Sequence, residues 1–476
     1  MAYLDRVKSL AAVLHGNRLL VAGAVAFTVI VLAWVIYWLL APYTAVFPVD
    51  LTVYRDGGLI VRGTQPYYDP HAASPLYDWG GYSDVALKFT YTPFAAVAFA
   101  LASFLPETAL IAVSVAASIA ALLAALWCTL GALGVAGPGD RSGLTLLCAA
   151  AVFWTQPVLR NLNLGQVNLI LMAMIMWDSC QPVKGRSGKY RWWRGFATGV
   201  AAGIKLVPLV FIPYQLATRR FREAAMTVAG FAVTIGVGFA VLPSDSATWW
   251  LHGIFLQGGR AGFLGWAGNQ SLRGLVTRLA GSIAAGTVPW VIAAAIVLAL
   301  GIWAAAVLSR AGHEVPALLM AALTGLLASP ISWDHHWVWI APAFATAVVY
   351  ARRLWNGARR RAWWLIGLTA GLLLVFGGWP DALWESARNL GRFSLGFLWA
   401  PPNTNPVLYV KYGDQPWFVE YHWHGIWLLT GNAYVLAGLV VFAVVCGVAV
   451  GAWRRSRPGR VVAGPDLSSP IAQSTR

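Results

Sequence analysis

Three groups of polar residues in this chain have the types and positions to do chemistry. The first is the run Val49-Asp50-Leu51-Thr52-Val53-Tyr54-Arg55-Asp56, directly after a long apolar stretch. A carboxylate at a membrane–water boundary is partly screened from water, which suits it to act as a general base. On position alone, Asp50 also reads as a solvated loop aspartate or as the cap of a short interfacial helix running from Leu51. The second group is Ser329-Pro330-Ile331-Ser332-Trp333-Asp334-His335-His336-Trp337, an acid and two imidazoles at the end of an apolar segment. Such groups are costly beside hydrocarbon unless they are used. Neighbours on a helix point about 100° apart, so His335 and His336 do not converge easily on one ion, and no HExxH spacing is present. No metal is expected. The pair suits hydrogen bonding or charge pairing with an anionic phosphate; the plainer reading is a pair of satisfied interfacial histidines.

The third group consists of polar residues inside apolar stretches: Lys205 in Gly203-Ile204-Lys205-Leu206-Val207-Pro208, and Arg160, Asn161, Asn163, Gln166 and Asn168 in the run 160–168. An intramembrane ammonium faces a cavity or a lipid phosphate, or else it snorkels to the interface. Both readings of Lys205 stand. The run Gly268-Asn269-Gln270-Ser271-Leu272-Arg273 contains an N-x-S sequon, a weak match without a glycosylating compartment. No P-loop, GxSxG or nucleotide-binding glycine motif occurs, so a soluble nucleotide donor is not supported and no cofactor is expected.

The elements that must hold these groups are membrane helices. Of 476 residues 59% are hydrophobic and only 11% charged, whereas a soluble domain carries roughly 25% charged residues. This composition excludes the soluble, disordered and fibrous classes and predicts an all-α polytopic membrane protein. Apolar stretches lie near 19–41, 91–104, 107–136, 143–160, 164–180, 195–217, 223–242, 283–308, 315–331, 337–350, 362–380 and 425–453, about 12 candidate transmembrane helices at the usual spanning length. Residues 1–455 form one transmembrane domain, and 456–476 read as a disordered cytoplasmic tail. The net charge of +16 sits in short runs between apolar segments. These runs meet membrane lipids and orient helices; none is long or aromatic-interleaved enough for nucleic acid. The 4 cysteines show no CxxC spacing, and neither a zinc site nor a disulfide framework is indicated.

The positive-inside rule makes cytoplasmic the N-terminus with Arg6, Lys8 and Arg18, the clusters at 219–222 and 352–361, and the C-terminus. Two large outer loops follow, 42–90 and 381–424, with 243–282 and the turn around 332–336 on the same face. Loop 181–194, with Lys184, Arg186, Lys189, Arg191 and Arg194, falls outside on a simple count, against the rule. Either two neighbouring segments are re-entrant or those basic residues work outside. Gly203, Pro208 and Pro213 interrupt 195–217, and broken helices are tolerated where they line a cavity.

Taken together, the chain resembles glycosyltransferase family 87. The resemblance rests on Asp50-Leu51-Thr52-Val53-Tyr54, Phe89-Thr90-Tyr91-Thr92-Pro93, Gly165-Gln166-Val167-Asn168, Ile204-Lys205-Leu206-Val207-Pro208, Gly268-Asn269-Gln270-Ser271-Leu272 and the run 329–337, in family order from about Leu19 to Arg455. It implies the C-type glycosyltransferase fold and an enzyme of the plasma membrane with its active site on the periplasmic, outer side. It implies a polyprenyl-phosphate sugar donor and a glycolipid acceptor. The expected activity is an inverting α-1,2-mannosyltransferase acting on an acceptor such as a phosphatidylinositol mannoside; arabinose transfer is the alternative, and a lipid or sugar transporter the less favoured one. Asp50 falls at the family's first-loop aspartate and is expected to be the catalytic base. His335, His336, Lys205, Arg260, Arg273, Gln270, Tyr54 and Gln166 are the expected substrate contacts.

Overall fold

The computed structural model describes residues 2–40, 46, 48–65, 69, 71–78, 87–135, 137–181, 192–378, 397–399, 401 and 414–456, with side chains from residue 17 onward. Among them every regular element is a helix or helical turn, joined by two isolated antiparallel bridges, Thr155 to Gly377 and Asn269 to Trp333. Much of the second expected outer loop and the expected tail beyond Ser456 lie outside the described residues.

Large apolar side chains cover the outside of the bundle as well as its core. On α1 (Ala2–Leu40), Val21, Val25, Val29, Leu32, Ile36 and Leu39 are all exposed at helical spacing, forming one apolar face toward lipid. The opposite face packs on the later helix 138–153, where Gly23 and Gly143 let the two backbones approach. Small residues at contacts and large aliphatics outside are what membrane association favours, because lipid tails are as apolar as leucine.

The helices that follow are α2 (Val49–Val61), α3 (Pro93–Ala102), α4 (Glu107–Ala132), α5 (Pro138–Phe153), α6 (Gln156–Leu164) and α7 (Asn168–Ser179). Next come α8 (Phe196–Ile204), α9 (Phe211–Ala217), α10 (Phe221–Val241) and α11 (Leu272–Ala280). The chain ends with α12 (Ile283–Arg310), α13 (Glu314–Ala328), α14 (Ile340–Trp355), α15 (Arg359–Phe376) and α16 (Ala433–Arg455). Among the described residues five of these are long and apolar enough to cross a membrane, or six if α6 and α7, bent by 117°, count as one. Among the described residues, the twelve apolar stretches are thus not matched by twelve helices of spanning length. Several are half-length arms: α3 has 10 residues, α8 has 9 and α9 has 7.

These arms settle the problem of loop 181–194. The end of α7 at Ser179 to Gln181, Arg194 just before α8, and Arg219 to Glu223 after α9 all line one cavity. At their other ends, Asn168 of α7 and Lys205 after α8 are hydrogen-bonded to each other. Thus α8 rises halfway, breaks at Lys205, and α9 returns to the basic end where it began. Both flanks of the loop lie with the Arg219–Arg222 cluster, in accord with the charge rule; residues 182–191 lie outside the described residues. This turn-back at Lys205 is the geometry that the re-entrant alternative requires.

Two cores result. The larger runs through α4, α5, α7, α12, α13 and α16; the smaller joins α2 and α3 with Leu76, Tyr77 and Trp249. Val167 and Ile204 pack against both, so the breaks beside them lie on the seam.

A close crossing is that of α8 on α10, where a side-chain carbon on Gly199 would run into the Thr227 carbonyl. Gly199→Leu should cost about 1–3 kcal/mol through overpacking, read as a lower Tm in detergent. Gly236→Leu, at an open position on α10, should leave Tm where it is. Equal Tm values for the two variants would contradict the close crossing.

Candidate active site

Lys205 occupies the place where α8 stops. Its N–H makes the last helical bond, to Ala201 O at 3.0 Å, and its own backbone is extended at φ −132°, ψ 132°. Pro208 has no N–H to offer the Ile204 carbonyl, which is why the helix cannot continue. The Gly203 carbonyl, also left behind by the break, accepts from the Thr92 hydroxyl. That hydroxyl in turn caps α3 by accepting from the Ala95 N–H at 3.2 Å.

The ammonium so placed donates to Gln166 Oε1 at 3.0 Å and Asn168 Oδ1 at 2.7 Å, and lies 5.2 Å from the Tyr91 ring centre. Both acceptors stand at the bend between α6 and α7. Gly165 ends α6 in the left-handed region at φ 70°, and a Cβ there would collide with Leu51. The absence of that side chain lets α2 lie against the bend. Tyr54 of α2 then donates to Gln166 Oε1 at 2.8 Å, and its hydroxyl is 2.7 Å from that of Tyr91. Asp50, in the first turn of α2, is partly exposed. Its charge acts on Lys205, His335, Tyr54 and Tyr91, so it stands within electrostatic reach of all four.

The other wall is the connection 329–339, between α13 and α14. Its backbone is tied to the 268–270 segment: Asp334 N–H donates to Gly268 O at 2.9 Å and Gln270 N–H to Ser332 O at 2.8 Å. The buried Asp334 carboxylate accepts from the His335 N–H at 2.8 Å and from the imidazole Nδ1 at 3.1 Å. Its second oxygen accepts from the Gln156 amide and lies 3.5 Å from Arg160 Nε. Tyr434 completes the chain by donating to Gln156 Oε1 at 2.7 Å. Burial pushes both imidazoles below the ordinary histidine range, and the carboxylate beside Nδ1 of His335 makes that nitrogen the donor. Its Nε2 is buried without a partner and offers a lone pair. The His335 carbonyl accepts from Asn161 at 2.8 Å and Asn168 at 3.2 Å, which joins this wall to the Lys205 cage. His336 sits edge-on to His335, ring centres 4.8 Å apart. It shares with Lys205 and Asn168 a narrow cleft walled by Leu171, Met172, Val207, Phe211 and Leu326.

Of the residues expected from sequence, Asp50, Tyr54, Gln166, Lys205, His335 and His336 thus come together. The other three are placed elsewhere. Gln270 is fully buried and its amide is spent on backbone: Nε2 donates to Ala267 O and Gly431 O at 2.6 and 2.8 Å, while Oε1 accepts from the Tyr434 and Val435 N–H groups. Arg260 donates to Tyr77 O at 2.8 Å, and Arg273 lies 4.6 Å over the Trp290 ring; each keeps a buried Nε without a partner. Asn269, the sequon residue, is also fully buried, its side chain bonded to Leu264 O, Pro330 O and Ser332 N–H. Residues not singled out from sequence carry much of the frame. Gln156 holds Asp334, Tyr91 bridges Tyr54 and Lys205, and buried Arg278 clamps Asn432 at 2.6 Å and the Trp266 and Asn269 carbonyls. A lone glutamine or arginine at the edge of an apolar run is the only sequence signal that Gln156 and Arg278 leave, whereas Tyr91 lies in the 89–93 motif.

A family model described as Glycosyltransferase family 87 matches residues 89–330. A polyprenol-phosphate-mannose-dependent α-(1-2)-phosphatidylinositol mannoside mannosyltransferase from Mycolicibacterium smegmatis is 33% identical over 347 residues, 69% of this chain and 75% of that protein. A polyprenol-phosphate-mannose-dependent α-(1-2)-phosphatidylinositol pentamannoside mannosyltransferase from Mycobacterium tuberculosis is 33% identical over 376 residues, 75% of this chain and 78% of its own length. No solved structure gives a significant match.

Gln270→Ala should leave two backbone N–H groups and two carbonyls unpaired in a dry interior, a loss of about 2–4 kcal/mol in stability. Thermal unfolding of the purified protein in detergent measures it. A parental Tm would return Gln270 to the set of ligand contacts.

Proposed function

The chain belongs to glycosyltransferase family 87, and from that premise we propose that it is an inverting α-1,2-mannosyltransferase. It moves mannose from polyprenyl-phosphate mannose to a hydroxyl of a membrane glycolipid such as a phosphatidylinositol mannoside. What supports the proposal is one carboxylate, Asp50, within electrostatic reach of one caged amine, Lys205, at a helix break. Transfer from a phosphate-linked sugar needs both a proton acceptor and a counter-charge. The names of the relatives support mannose and a phosphatidylinositol mannoside.

The chemistry balances as follows. The acceptor hydroxyl attacks the anomeric carbon from the face opposite the phosphate of a β-linked donor, and Asp50 takes its proton as the new C–O bond forms. The bond from the anomeric carbon to the phosphate oxygen breaks and its electron pair stays on the phosphate. That leaving group is already acidic and requires charge stabilisation more than protonation. Lys205 supplies it from one side, with His336 beside it. The small cleft beside Lys205 and His336 has apolar walls. His335, turned by Asp334 so that Nε2 accepts, holds a hydroxyl of the sugar or of the acceptor. Arg260 and Arg273 stay as candidate contacts further out, and Gln270 as a support. By the positive-inside rule the Asp50 end faces outward across the plasma membrane, with both termini cytoplasmic.

A second reading follows from the Asp334–His335 pair, since an imidazole held by a buried carboxylate with its other nitrogen open is also a base geometry. Membrane vesicles with radiolabelled polyprenyl-phosphate mannose distinguish the two. Asp50→Asn should lower kcat by about 10²–10⁴-fold with little change in donor KM or Tm, and His335→Gln should cost less. The reverse order would move the base to His335. Lys205→Met should raise donor KM and lower kcat together, because the phosphate is bound in ground and transition states alike. No labelled glycolipid with the mannosyl donor, but product with polyprenyl-phosphate arabinose, would replace the sugar while keeping the mechanism.

A further inference from the structure

At the end of the bundle opposite Asp50, about 18 Å away along the 12 residues of α7, lies a cavity of about 1130 Å³. It opens where α4, α7 and α9 end and where α5, α10 and α13 begin. Five arginines line it, Arg141, Arg194, Arg219, Arg220 and Arg222, against two acids, Glu223 and Glu314. Both acids are taken up: Glu223 pairs with Arg194 at 3.3 Å and Arg220 at 4.0 Å, and Glu314 pairs with Arg220. Among the described residues no carboxylate lies within ion-pairing distance of Arg141, Arg219 or Arg222, so the cavity holds an excess of positive charge.

Two further observations point to a ligand. Arg194 is only 5% exposed, yet its Nε is buried without a partner. Arg219 is, among the described residues, the one non-glycine with positive φ, at 61°, a conformation that costs an L-residue energy. That turn closes α9 through Arg219 N–H to Leu216 O and Arg220 N–H to Gln215 O, and sets Arg219, Arg220 and Arg222 at the mouth. The remaining walls are apolar and open, with Trp127 37% exposed, Trp177 45% and Phe221 63%. Guanidinium groups next to exposed aromatic surface at the end of a membrane bundle match a phosphodiester with acyl chains attached, better than a free ion.

We infer that this cavity binds the headgroup of an anionic glycerophospholipid from the leaflet at the basic end, a site separate from the transfer chemistry. The full-length protein, purified in detergent and supplied with phosphatidylglycerol or phosphatidylcholine, is read by native mass spectrometry for retained lipid. Parent protein should keep phosphatidylglycerol and not phosphatidylcholine. Arg219→Gln combined with Arg222→Gln should weaken retention about tenfold or more, from two lost charges near the phosphate. Arg359→Gln combined with Arg360→Gln removes the same charge from exposed positions of α15 outside the cavity, and should retain lipid like the parent. Equal losses in both double variants would reduce the effect to diffuse surface charge and overturn the proposal. So would displacement of the lipid by millimolar inorganic phosphate, which would mark a site for the free ion.

Discussion

The arrangement depends on holding one ammonium inside an apolar bundle. A lysine placed there without partners would be neutral or absent, because hydrocarbon solvates no charge. Lys205 is kept by two side-chain oxygens, from Gln166 and Asn168, and by the field of Asp50. Each oxygen is itself fixed. Gln166 accepts from Tyr54 as well, and Asn168 donates to Asn161 and to the His335 carbonyl. The cage is therefore what fastens α2, the α6–α7 bend and the 329–339 connection to one another.

The half-length arms are the geometric counterpart of that constraint. A full-length helix presents no free backbone at mid-depth, and its side chains point sideways into neighbours. A helix that stops at mid-depth leaves carbonyls that need donors, and other chain segments must come in to supply them. The Gly203 carbonyl draws in Thr92, and Thr92 starts α3. The α6–α7 bend exposes Gln166 and Asn168 in the same way. Breaking the spans is thus what allows polar groups from distant parts of the sequence to meet, with the cost of each break met by a cap or a side-chain bond.

How much of this could be read beforehand varies with the kind of signal. Lys205, Asp50 and the histidine pair stand out because charge amid apolar residues has few bland explanations. The membrane class follows from composition in the same way. Span number did not follow, because hydropathy sees a continuous apolar stretch at 195–217 and is blind to the direction the chain takes after Pro208. Gly203, Pro208 and Pro213 marked the break, and the charge conflict at 181–194 marked the turn-back; only together do they specify a re-entrant pair. Gln270 shows the converse. A polar residue in a family motif reads as a ligand contact, yet here the motif ties 268–270 to 332–334 and to the start of α16, so its chemistry is internal. Gln156 and Arg278 left almost no mark, since one polar residue near a span end is ordinary.

The charges of the site also bear on the order of events. Before substrate arrives, Asp334 lies 3.5 Å from Arg160, and the charge of Asp50 acts on Lys205. In this proposed site, a donor phosphate entering beside Lys205 would take that amine as its counter-charge and leave Asp50 to the acceptor hydroxyl. The second acid cannot play that part, because Gln156, His335 and Arg160 already occupy its oxygens, and no ligand displaces them without opening the wall.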